Sequence, residues 1–63
     1  MNMPYINIDI FDGHSKERKA IIAKRITEVI KEEANVPEQL IWVTFNEIPK
    51  EQWAIGGKLC SEK

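Results

Sequence analysis

The chain has 63 residues, 43% of them hydrophobic, and ten acidic against nine basic side chains leave a formal charge of −1. That balance offers no basic patch for nucleic acid or for an anionic membrane, and no apolar run approaches the length of a membrane span or a signal peptide. One cysteine, Cys60, and one histidine, His14, exclude an internal disulfide and a structural zinc site. A single core in a chain below roughly 70–80 residues seldom supplies more than a few kcal/mol, so self-association is the remaining route to stability. The lone thiol and the lack of an export signal predict a cytoplasmic protein. No linker, repeat or low-complexity tract divides the sequence.

Residues 4–11 alternate, with Ile6, Ile8 and Ile10 on one side and Tyr5, Asn7, Asp9 and Phe11 on the other. This pattern predicts a strand with one face on a core. Pro4 opens the strand, a position proline tolerates because a missing N–H costs least there. Asp12-Gly13 ends it, and Ser15 is placed to cap the following helix, although Arg18 stands where a capping box would have Glu or Gln. From Lys16 to about Ala34 the period is helical: Ile22, Ala23, Ile26, Val29 and Ile30 make one stripe, with Ile21 well off it. Asn35 suits a left-handed C-cap, and Pro37 stops the helix.

Leu40 to Asn46 reads as a second strand. Ile41, Val43 and Phe45 form one face, while Trp42 and Thr44 leave the other largely apolar as well, so both faces need cover. One helix covers only one; the other must meet a second copy or a ligand. Strand, helix and strand in this order predict a right-handed β-α-β unit with parallel strands and open edges. Beyond Pro49 and Trp53, Ile55-Gly56-Gly57-Lys58 reads as a tight hairpin turn.

Pro4 at the head of a strand, Gly13-His14-Ser15 leading into a helix, and Trp53-Ala54-Ile55-Gly56-Gly57 near the end resemble the 4-oxalocrotonate tautomerase family, a match that runs from Pro4 to Lys63. The resemblance implies an α/β (α+β) protomer of β-α-β form with a short C-terminal hairpin, its sheet completed by oligomerisation. It also implies a homohexamer, a trimer of dimers, with residues 1–3 as an extension before a single domain over 4–63. The implied activity is cofactor-independent keto-enol tautomerisation of a small 2-hydroxydienoate or related enol, with no metal or organic cofactor, and Pro4 as general base. The physical rationale is that only an N-terminal proline offers a secondary amine, and an apolar pocket lowers the pKa of such an amine towards working pH. Phe11, Trp42 and Trp53 are the expected pocket walls.

Two departures bear on the substrate. His14 stands where well-studied members carry an arginine before the helix cap, and Trp42 where they carry one in the last long strand. Indole supplies neither the charge nor the bidentate geometry of guanidinium. The resemblance therefore points to a monoacid enol such as an arylpyruvate rather than to a dicarboxylate, with His14 as substitute anion binder. Catalysis further requires that Pro4 become N-terminal. Asn2 is larger than the residues that normally permit removal of Met1, whereas Met3-Pro4 would be processed readily if translation began at Met3. With Met1-Asn2-Met3 retained, the same sequence describes a catalytically silent oligomeric protein of this fold. A hydratase, dehalogenase or decarboxylase using the same proline ranks below the tautomerase, for want of a carboxylate placed to activate water.

Overall fold

The computed structural model describes residues 3–62, so Met1 and Asn2 of the expected extension, and Lys63 at the other end, lie outside the described residues. Strand β1 covers Tyr5–Phe11, helix α1 Lys16–Ala34 and strand β2 Trp42–Ile48; a hairpin of β3 (Ala54–Ile55) and β4 (Lys58–Leu59) follows. Short 3-10 turns occupy Glu38–Leu40, Lys50–Gln52 and Cys60–Glu62. This is the β-α-β arrangement that the alternation and the helical period predict.

β1 and β2 pair in parallel from Tyr5↔Trp42 to Phe11↔Ile48. Partners in a parallel pair share a face, so Ile6, Ile8 and Ile10 lie beside Val43, Phe45 and Glu47, under the helix. Ser15 caps α1 as expected, its side chain accepting from the Arg18 N–H at 3.1 Å. Asn35 ends the helix at φ 56°, in the left-handed conformation. Lys19 on the helix pairs with Glu47 of β2, closing one end of the seam between layers.

The second strand begins later than its alternation suggests. Leu40 belongs to a 3-10 turn whose Leu40 N–H donates to Pro37 at 3.0 Å and whose Ile41 N–H donates to Glu38 at 3.1 Å. The strand then runs past Asn46 to Ile48, because β1 continues to offer a partner as far as Phe11. Val29 also departs from its predicted stripe and is exposed, as is Ile21. Two strands present too narrow a surface to cover the whole apolar arc of the helix.

The protomer is a slab 43 × 25 × 14 Å, and among the described residues the buried hydrophobic ones are Val36 and Ile41 alone. A chain of this size folded as an ordinary monomer exposes about 4,200 Å²; this one exposes 5155 Å². The excess is similar to the roughly 800 Å² that one partner gives up in a standard protein interface. Tyr5 and Trp42, neighbours across the sheet on its uncovered face, are 63% and 57% exposed. Open strand edges and an uncovered aromatic face are the features that self-association would bury.

Candidate active site

Pro4 stands immediately before β1 and is partly buried. Its carbonyl accepts from the Trp42 N–H at 2.9 Å, which continues the β1–β2 ladder by one step. The residue is thus anchored through its carbonyl, while its ring nitrogen has no N–H to give to the sheet. Beside it, on the uncovered face, Thr44 Oγ1 lies 3.1 Å from Tyr5 Oη and 3.0 Å from Asn7 Oδ1. The threonine hydroxyl has a single hydrogen. It therefore satisfies both neighbours by donating to the Asn7 carbonyl and accepting from the tyrosine hydroxyl.

The other aromatic residues gather at the far end of the sheet. Phe11 closes β1, and Trp53 follows the 3-10 turn at Lys50–Gln52; their ring centroids are 4.4 Å apart with planes tilted by 57°. Trp53 is held by the hairpin, since its carbonyl accepts from the Cys60 N–H at 2.8 Å. That hairpin turns on Gly56 and Gly57, at φ 62° and 83°, two successive positive values that fit a type I′ turn and suit glycine. Gly13, at φ 103°, makes the sharp exit from β1 that leads to His14 and the helix cap.

Two cations join this end that sequence reasoning passed over. The Arg18 guanidinium lies 3.3 Å from His14 Nδ1, and Lys50 Nζ sits 5.8 Å from the centroid of the Phe11 ring, within cation–π range. The signals were present but ordinary: Arg18 is four residues from His14 across the helix start, and Lys50 follows Pro49 in the turn that delivers Trp53. Cys60 is a half-buried free thiol in the hairpin region.

A single chain therefore does not bring the five expected site residues together. Pro4 and Phe11 are seven residues apart along an extended strand, about 23 Å at ~3.3 Å per residue. Trp42 belongs to the Pro4 end, and Phe11, Trp53 and His14 to the other. Two grooves on the surface of the single chain are lined by other residues, one along α1 between Ala20 and Glu28, the other around Asn35–Pro37. Among the described residues no three His, Cys, Asp or Glu side chains gather where they could hold a metal ion, and no helix is long and apolar enough to cross a membrane.

The family model described as "Tautomerase enzyme" matches residues 4–63, beginning on Pro4 itself. The chain belongs to the tautomerase family. A probable tautomerase of Lactococcus lactis is 43% identical over 61 residues, which make up 97% of this chain and 100% of that protein. Among solved structures, YwhB, a homologue of 4-oxalocrotonate tautomerase, matches with a TM-score of 0.91 at 30% identity, covering 95% of this chain and 98% of its own. A heterohexameric 4-oxalocrotonate tautomerase from Chloroflexus aurantiacus matches with a TM-score of 0.90 at 27% identity, covering 95% and 97%. The fold expected from the motifs is the fold of these structures. Membership supports tautomerase activity, an isomerisation, for this chain, and a family that includes hexameric members accords with the surface this protomer leaves open.

Proposed function

We propose that this protein is a cofactor-independent tautomerase in which Pro4, once its nitrogen is N-terminal, is the general base for a small 2-hydroxydienoate or arylpyruvate-like enol. The observation that carries the reading is the position of Pro4: the family match begins on it, and its carbonyl is fixed to β2 while its nitrogen is left out of the ladder. As an N-terminal amine, that nitrogen takes the proton from the enol hydroxyl at C2. Returned to carbon, at C3 in an arylpyruvate enol, the proton gives the ketone with no change in redox state.

The separation of the two ends makes the working site a property of an assembly. The Pro4–Trp42 end of one copy has to meet the Phe11–Trp53–His14 end of another for the aromatic walls to exclude water around the amine. A homohexamer, a trimer of dimers, is the proposed assembly; open strand edges and the exposed Tyr5 and Trp42 support it. In that setting His14 is the proposed hydrogen-bond partner for substrate.

The alternative is a catalytically silent oligomeric protein of the same fold. It is favoured by one sequence observation, that Met1-Asn2-Met3 precede Pro4. While they are attached, the proline nitrogen is a tertiary amide without basicity. Intact-mass measurement on protein from its native host, read alongside enol-to-keto conversion, separates the two. Activity confined to molecules that begin at Pro4 supports the tautomerase, as does labelling of that proline by an electrophilic acetylenic keto acid. Full activity in molecules that retain Met1 would exclude Pro4 as the base, and retained Met1 with no activity would favour the silent protein.

A further inference from the structure

The aromatic end of the protomer carries positive charge that its motif positions do not reveal. Arginine has no acceptor atom, so in the 3.3 Å contact with His14 the guanidinium donates and Nδ1 accepts. With Nδ1 engaged in this way, the ring nitrogen left free for another partner is Nε2. Arg18 brings a permanent guanidinium charge to the side chain of His14. Lys50 adds a second cation over the face of Phe11, which also packs against Trp53. Among the described residues the ion pairs are Lys19–Glu47 and Lys31–Glu38, so neither Arg18 nor Lys50 is neutralised by a carboxylate. Other lysines and arginines on the surface are also unpaired, but these two touch the proposed site residues.

We propose that Arg18 is a specificity-determining residue of this protein. It binds the single carboxylate of an aryl enol acid beside the His14 ring, while Phe11 and Trp53 hold the aryl group and Lys50 adds to the positive field. The inference rests on the tautomerase reading for its substrate class but not for its test. It explains how a chain with His14 and Trp42 in place of two arginines keeps affinity for one carboxylate. It also accounts for selectivity, since a neutral ligand of the same shape gains nothing from a guanidinium, and a second carboxylate would face Trp42.

The test is equilibrium binding, by calorimetry on the full chain, of trans-cinnamate and of the uncharged trans-cinnamamide. Neither ligand requires proton transfer, so the result stands apart from whether Pro4 is a base. The wild-type chain is expected to prefer cinnamate. Arg18→Gln lowers cinnamate affinity by about tenfold and leaves cinnamamide unchanged, the size expected for loss of one charge-assisted contact. Arg18→Lys keeps part of the affinity, and the distant exposed Lys24→Gln behaves as wild type; a far-UV spectrum confirms that each variant is folded. Unchanged cinnamate binding in Arg18→Gln, equal loss of both ligands, or failure of the wild type to bind either would overturn the proposal. Arg18-dependent cinnamate binding in a protein without enol-to-keto activity would sustain this assignment and sink the tautomerase reading alone.

Discussion

At the leading end of the β1–β2 sheet, Pro4 and Trp42 are joined by a backbone hydrogen bond and flanked by a neutral Tyr5–Thr44–Asn7 cluster. At the trailing end, Phe11 and Trp53 pack with tilted rings and Lys50 lies over Phe11, with the His14–Arg18 pair at the start of the helix. One end carries Pro4, the proposed base; the other carries two cations and the Phe11–Trp53 aromatic pair. The paired strands β1 and β2 separate them. The comparison teaches that a single chain keeps the expected site residues at two separate ends, so the proposed function requires two copies to bring them together.

The largest break in that comparison comes from removing the base. In a chain whose first residue is position 4, P4A lowers kcat/KM for enol-to-keto conversion by about 10²–10⁴-fold, the usual range for loss of a general base. Steady-state kinetics, with a spectroscopic check that the fold is kept, decide this. At the opposite end, W53A removes the ring that packs against Phe11 and costs about 1–3 kcal/mol of stability, less than for a fully buried tryptophan. W53F retains most of that stability, and chemical denaturation of the two variants measures the difference. The smallest effect tests how the trailing end is positioned. S15A removes the acceptor for the Arg18 N–H and costs about 1 kcal/mol in thermal unfolding. Because it loosens the turn that carries both His14 and Arg18, it sharpens the assignment of that end to substrate binding if KM rises more than kcat falls.

Much of the scaffold could be read directly from residue types, because those features are local. Alternation in β1, the Ser15 cap, the left-handed Asn35 and the paired glycines of the hairpin each follow from the backbone conformation that a few adjacent residues prefer. The family motifs then carried the fold as a whole. The limits of β2 were harder, because Asn46 and Glu47 look like a strand end while the pairing to β1 carries the strand on to Ile48. Val29 lies at the margin of the helical stripe, and only the width of a two-stranded sheet decides that it is left exposed.

The site was less legible than the fold for a physical reason. Pro4, Phe11, His14, Trp42 and Trp53 can each be named from motifs, but their division between the two ends depends on strand length and register. Arg18 and Lys50 were hidden among other surface charges. Arg18 lies one helical turn from His14, a contact that any Lys- or Arg-rich helix start can produce. The place of Lys50 over Phe11 needs the turn after Pro49, which no periodicity signals.

The central claim is that the two ends work together only across copies of the chain, and complementation tests it most directly. Two variants are prepared in the form that begins at position 4, P4A and the double variant F11A/W53A, each disabled at one end. Each alone is expected to be inactive. Unfolded together in equal amounts and refolded, they should regain about a quarter of wild-type activity, since random pairing in a symmetric assembly joins one intact end of each kind in that share of sites. A mixture as inactive as its separate components, in oligomers shown to contain both variants, would contradict the account.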